Sequence, residues 1–191
     1  YRKQLGIQLA IENKLNADVV IPIMDSGTPA ALGFSQKSNI PFEIGIIRSH
    51  YVGRTFIEPE QRIRQFGVKL KHSINETFVK NKKIILIDDS IVRGTTAKKI
   101  VKMLFDKDAI EVHLGISCPP IKHPDFYGID TPDYKELLAY KKNIEQMNKY
   151  IGSTSLFFLS LDGTYKAFGF SNRNKNQPQL TDHCFTGEYP V

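Results

Sequence analysis

The hydrophobic patterning of this chain predicts an α/β fold, a mainly parallel twisted sheet flanked by helices, and three observations carry that prediction. Ile84, Ile85, Leu86 and Ile87 form an unbroken apolar run, which suits a parallel strand covered on both faces better than a strand half exposed to water. Helix and strand signals alternate through the first 117 residues, the order that builds parallel sheets. Two of the strands run straight into short loops rich in glycine and hydroxyls that open helices, DSGTP at 25–29 and DDSIVRGTT at 88–96. Open α/β sheets hold their ligands at such carboxyl ends.

The elements follow in order. Arg2 to Leu15 alternates polar and apolar residues as an amphipathic helix does, and it lacks the apolar centre of a signal peptide. A strand is predicted over Asp18 to Met24, a helix from Pro29 to about Lys37, and a strand over Phe42 to Ile47. After a long basic segment comes the strand that ends at Asp88. The helix predicted from Ala97 to Phe105 places Ile100, Val101, Leu104 and Phe105 on one side, and a strand follows over Glu111 to Ser117. Beyond Pro119 the pattern changes to a loop, short helices near Tyr134–Ala139 and Ile144–Tyr150, an apolar strand over Leu156–Leu159 and a helix near Gly163–Phe168. Residues 1–191 therefore read as one domain, with 119–191 expected as a helical and irregular cap or a docking extension.

Composition narrows the class. A chain of 191 residues can bury a sizeable core, and no apolar stretch reaches the roughly 18 residues of a membrane span, so a soluble, cytoplasmic protein is expected. The two cysteines, Cys118 and Cys184, make no disulfide framework. The net charge of +6 raises the question of nucleic acid, but the basic residues are scattered and no nucleic-acid motif accompanies them. A small polyanionic substrate accounts for the excess equally well.

The stretch from Lys83 to Thr96, KIILIDDSIVRGTT, carries the most chemistry. At the start of the helix that follows it, backbone N–H groups lack intrahelical partners and the dipole favours negative charge, so a phosphate fits. Gly94 permits close approach or a positive φ, while Ser90, Thr95 and Thr96 add uncharged donors. Asp88 and Asp89 suit another part of the ligand: paired carboxylates accept hydrogen bonds from ribose hydroxyls, or hold Mg²⁺ directly or through water. Alone, an Asp-Asp pair is as well read as a solvated strand end and Arg-Gly-Thr-Thr as a turn with a helix cap; the agreement of strand, acids, glycine and hydroxyls points to a phosphorylated sugar. The string is neither a Walker loop nor a GxGxxG dinucleotide loop, which argues against ATP and NAD.

Asp25-Ser26-Gly27-Thr28-Pro29 repeats this logic after the first strand, with Pro29 suited to a first helical turn. A plain helix cap is the alternative reading. Between Arg48 and Lys71 stand Arg48, Arg54, Arg62, Arg64, Lys69 and Lys71, with Gly53 as a pivot. A basic loop of this kind can close over a diphosphate and neutralise charge on the leaving group, although Arg62 and Arg64 also fit a solvated helix.

KIILIDDSIVRGTT resembles the phosphoribosyl diphosphate (PRPP) signature of type I phosphoribosyltransferases. IPIMDSGTPAALGF at 21–34, YVGRTFIEPEQRIR at 51–64, PPIKHPDFYGIDTP at 119–132 and CFTGEYP at 184–190 resemble the synthase domain of glutamine PRPP amidotransferases, in the family's order over nearly the whole chain. The resemblance implies a type I phosphoribosyltransferase fold and the conversion of PRPP and ammonia to 5-phosphoribosylamine and diphosphate, the first step of purine biosynthesis. It implies that Asp88, Asp89, Ser90, Arg93, Gly94, Thr95 and Thr96 bind the ribose and 5-phosphate, with Mg²⁺ near Asp88 and Asp89. It assigns the diphosphate to Asp25, Ser26, Gly27, Thr28, Arg48 and Arg54, Arg54 lying in the family's flexible loop, which matches Tyr51 to Pro59. Arg48, Arg54, Asp88 and Asp89 are the expected catalytic residues. Purine nucleotides are expected inhibitors at the 5-phosphate loop, and a homo-oligomer is expected.

The departures count too. Some relatives carry Ser where this chain has Gly27, and that possible Mg²⁺ contact is missing. The glutaminase domain that releases ammonia in the complete enzyme is not in this sequence, so the chain is expected to use free ammonia at most, or to be a fragment, a split subunit or a degraded product. A subset of the family binds an iron-sulfur cluster through four cysteines; only Cys184 matches a ligand position, Asp125 and Thr181 occupy two others, and no cluster is expected. His113, His123 and His183 lack metal-ligand spacing. The rival readings are a base-salvage phosphoribosyltransferase, which should lack the tail from Pro119 to Pro190, and a PRPP-binding regulator, which should carry an effector module.

Overall fold

The computed structural model describes residues 1–48, 72–127 and 133–189. Among these, four parallel strands form one sheet in the order β1-β4-β5-β6: β1 (Val19–Pro22), β4 (Lys83–Asp88), β5 (Glu111–Ile116) and β6 (Ser155–Phe158). β4 pairs on both sides, Val19↔Ile84 to Pro22↔Ile87 with β1 and Lys83↔Glu111 to Asp88↔Ile116 with β5. A second, antiparallel pair joins β2 (Ile46–Arg48) to β3 (His72–Ile74). The mainly parallel α/β sheet expected from the sequence is therefore present.

The apolar run of β4 is explained by burial on both faces. Side chains alternate across a strand, so Ile84 and Leu86 join Val19, Ile21, Val112 and Leu114 on one face, while Ile85 and Ile87 join Val20, Leu9, Ala30 and Phe34 on the other. The first face is covered by α3 (Thr95–Phe105), which buries Ile100, Val101 and Leu104, and by α5 (Ile144–Ile151), which buries Met147 and Ile151. The second is covered by α1 (Arg2–Glu12) and α2 (Thr28–Ser38).

Several boundaries shift for local reasons. The first helix ends three residues before Leu15, where the Asn13 backbone N–H and side-chain amide both donate to Leu9 O, at 3.0 and 3.1 Å. The strand expected over Phe42–Ile47 is shortened and displaced: Phe42 makes a single parallel bridge to Val20, and ladder pairing starts only at Ile46. The bridge consists of Val20 N–H on Pro41 O at 2.8 Å and Glu43 N–H on Val20 O at 3.0 Å, and the next β1 residue on that side, Pro22, has no N–H with which to extend it. The segment at 134–139 divides into a 3₁₀ turn, Tyr134–Glu136, and the short α4, Leu138–Lys141. From the tail, β6 pairs with β5 from His113↔Ser155 to Ile116↔Phe158, so part of the stretch beyond Pro119 completes the sheet.

α6 (Leu161–Ala167) follows β6, and its N-cap Ser160 is clasped by the end of α1: the Glu12 carboxylate accepts from Ser160 N–H at 2.9 Å and from its hydroxyl at 2.8 Å. α1 and α2 themselves meet backbone to backbone. A Cβ on Gly6 would lie 1.8 Å from Ala30 O, and one on Gly33 would lie 2.0 Å from Lys3 O. This contact fixes α2, whose first turn begins at Thr28. Gly6→Ala therefore has to separate the two helices, and a loss of about 3 kcal/mol in unfolding free energy, the cost of overpacking a tight contact, is expected by urea denaturation; an unchanged midpoint would contradict the packing.

Candidate active site

Two loops meet at the carboxyl end of the sheet. The first leaves β1, crosses the cis Met24–Asp25 peptide and enters α2. The second leaves β4 and enters α3 through Gly94. Adjacent parallel strands bring them together: Ile23 N–H continues the ladder to Ile87 O at 2.8 Å, and Gly27 N–H donates to Ile23 O at 3.0 Å. Gly27 lies directly against the end of β4. A Cβ there would fall 2.4 Å from Ile87 O and 3.2 Å from Asp88 Cα, so this backbone accepts only glycine at the position where the resemblance allows serine.

Asp88 ends β4 and Asp89 opens the second loop. Asp88 is buried, and Asp89 N–H donates to Asp88 Oδ1 at 2.9 Å. Burial, then the neighbouring charge of Asp89, pushes the Asp88 carboxyl up to about 7, while hydrogen bonds from the Asp89 backbone and the Ser26 side chain act the other way. Ser26 thus ties the first loop to the acid of the second. The Ser90 hydroxyl donates to Asp89 Oδ1 at 3.3 Å. The arrangement offers oxygen acceptors beside two helix N-termini, the set a sugar bearing anionic groups and a hard cation requires.

Gly94 is the N-cap of α3 with φ +73°, the left-handed conformation that glycine adopts without penalty. It also has no room for a side chain, since a Cβ would come within 2.6 Å of Leu138 Cδ2. Thr95 and Thr96 occupy the exposed first turn of α3, as the sequence places them. The helix begins at Thr95, two residues before the predicted start.

The arginines are placed differently from a simple expectation of anion ligands. Arg48, at the end of β2, donates from Nη1 to Asp25 Oδ2 at 2.8 Å, so Asp25 faces a cation. Arg93 donates from Nε to Glu136 Oε2 at 2.7 Å and pairs through Nη2 with the same oxygen. Sequence reasoning named Asp25, Arg48 and Arg93 singly and missed Glu136; partners 23 and 43 residues apart leave no local signal. Arg54, together with Gly53, Arg62, Arg64, Lys69 and Lys71 of the basic segment, lies outside the described residues.

Beside the acids opens a cavity of about 280 Å³, lined in part by Ser26, Asp89, Ser90, Cys118, Cys184 and Arg2. Arg2, the first residue of α1, was not anticipated there. Burial raises the Cys118 thiol far above its ordinary range and the Cys184 thiol to about 11, which leaves both poor nucleophiles. At the positions matched to cluster ligands, Asp125 Oδ2 lies 3.0 Å from the buried His183 Nε2, and the Cys184 carbonyl accepts from Lys122 and His123 N–H. Among the described residues no group of three or more His, Cys, Asp or Glu could hold a metal on its own, and no helix is long and apolar enough to cross a membrane.

No protein-family model matches the chain. Curated sequences do match it throughout: it is 59% identical over 191 residues to an amidophosphoribosyltransferase of Rhizobium etli and 47% identical over 190 residues to that of Bacillus subtilis. All of this chain is covered, against 38% and 40% of those proteins, so it spans about two fifths of the length of the curated relatives it matches. Among solved structures, the glutamine PRPP amidotransferase of Bacillus subtilis complexed with ADP and GMP superposes with a TM-score of 0.88 at 46% identity, over 99% of this chain and 41% of that one. With both its sequence and its fold matched from end to end, the chain belongs to the amidophosphoribosyltransferase family, as a stretch of it that holds the two facing helix-opening loops and their acid pair.

Proposed function

We propose that this chain binds PRPP between its two loops and catalyses displacement of diphosphate from C1 of the ribose by ammonia, giving 5-phosphoribosylamine. The observation that carries the reading is the juxtaposition of two hydroxyl-bearing helix N-termini, held on adjacent strands, with Asp88 and Asp89 between them. One loop suits the 5-phosphate and the other the diphosphate, at two ends of one substrate. ADP and GMP in the Bacillus subtilis relative support the further proposal that purine nucleotides compete for the same loops.

In this reading Ser90, Thr95, Thr96 and the first N–H groups of α3 hold the 5-phosphate. Ser26, Thr28 and the N–H groups around Gly27 hold the diphosphate, with Arg48 and Arg54 meeting its charge. Asp88 and Asp89 orient the ribose hydroxyls. Mg²⁺ fits the donor set: the two carboxylates are hard oxygen ligands whose mutual repulsion a cation relieves, and ligand oxygens would complete the shell that the protein does not supply alone. When bound, the ion supplies charge neutralisation for the departing diphosphate. No covalent nucleophile is needed, because positioning and electrostatic stabilisation of a leaving group supply the rate.

The test is diphosphate release by the chain incubated with PRPP, Mg²⁺ and ammonium. Base-independent release is expected, and Asp89→Asn should lower it roughly 100-fold with the fold intact by circular dichroism. Turnover by that variant equal to wild type would remove Asp89 from the mechanism; release that requires a purine or pyrimidine would make the chain a salvage enzyme, and PRPP binding without release a sensor.

The buried acid has a cost in stability with a definite sign. Its carboxyl titrates near 7 in the folded chain against 3.8 ordinarily, so between these values the folded state holds more protons than the unfolded one. Stability then falls as pH rises across that window. Asp88→Asn should raise unfolding free energy at pH 8 by on the order of 2–4 kcal/mol, with the gain vanishing near pH 4. A gain independent of pH in thermal melts would show that Asp88 is not held in this state.

A further inference from the structure

The loop from Ser90 to Gly94 is shaped from outside by a segment more than forty residues later in the chain. Three contacts converge on it. Leu138 N–H donates to Val92 O at 2.8 Å, Leu138 and the Tyr150 ring close the space in which a Gly94 side chain would stand, and Glu136 engages Arg93 through both Nε and Nη2. Two of the three fix backbone in the loop. The third takes its only cation, Arg93, and pairs it with a carboxylate on the wall side. A guanidinium held by two donors to one carboxylate is oriented as well as neutralised. The donors left to face a ligand at the start of α3 are N–H groups and hydroxyls.

We propose that Glu136 is a positioning residue for the phosphate loop and that Arg93 acts as a strut to it, not as a phosphate ligand. This rests on the reading of 90–96 as the 5-phosphate site. Glu136 holds Arg93 outward so that Val92, Arg93 and Gly94 keep the one backbone conformation in which the N-terminus of α3 is open to an anion. Leu138, two residues on, secures the same loop through its main chain, so the turn Tyr134–Glu136 and the start of α4 form the outer wall of the site.

Equilibrium binding of ribose 5-phosphate to the 191-residue chain tests this, with melting temperature measured alongside. Glu136→Gln and Arg93→Gln should each weaken binding roughly fivefold, the loss of one well-placed exposed ion pair, and the double variant should be no weaker than either single one. The charge swap Arg93→Glu with Glu136→Arg should restore affinity to within about twofold of wild type, since it restores the strut. If the swap stays as weak as Arg93→Gln, or if Arg93→Gln still costs affinity in the Glu136→Gln background, Arg93 touches the phosphate and the proposal is overturned. Glu136→Gln with unchanged affinity overturns it as well. A wild-type chain that fails to bind ribose 5-phosphate removes the reading of the loop itself, a result distinct from either.

Discussion

The site depends on the parallel pairing of β1 with β4. From Val19↔Ile84 to Pro22↔Ile87 the two strands run in register and end together, and Ile23 N–H on Ile87 O carries the ladder one residue into the first loop. Each strand then opens a helix at the same edge of the sheet. A parallel ladder with both faces buried has little freedom to slip, because moving it by one residue would turn Ile84 and Leu86 onto the face that Ile85 and Ile87 occupy. The distance between the two helix-opening loops is therefore a property of the core.

Glycines transmit that precision to the loops. Gly27 lets the first loop lie on the carbonyl end of β4, Gly94 turns the second into α3, and Gly6 with Gly33 lets α1 seat against the helix that the first loop opens. The close contacts extend outward: Glu12 at the end of α1 holds Ser160, the cap of α6, which follows the last strand of the sheet. Helix α6 thus braces α1, α1 braces α2, and α2 follows directly on the first loop.

Charge at the site is arranged in compensated pairs. Among the described residues Asp25 faces Arg48 and Arg93 faces Glu136, so these four exposed charges cancel in pairs. Asp88 and Asp89 are the exception, adjacent acids with one of them buried, and burial and repulsion together hold Asp88 partly protonated near neutral pH. Strain of that kind is retained where a ligand relieves it. In the proposed reading a ribose hydroxyl pair or a cation is what relieves it.

Much of this was legible in the residues. The apolar run of β4, the alternation of elements and the two helix-opening loops follow from periodicity and backbone chemistry, which act over a few residues and leave their mark in order along the chain. Gly94 could be named for its positive φ for the same reason. The partners could not. That Asp25 belongs with Arg48, Arg93 with Glu136, Gly27 with the carbonyl of Ile87, and Asp125 with His183 depends on contacts between segments tens of residues apart, and one carboxylate looks like another until the fold brings a cation to it. Local sequence determined which groups the two loops contain and the order of the strands and helices; only the tertiary structure brought Glu136 and Arg2 to the site and decided which charges are spent on each other, because charge pairing and burial are set by distance in space.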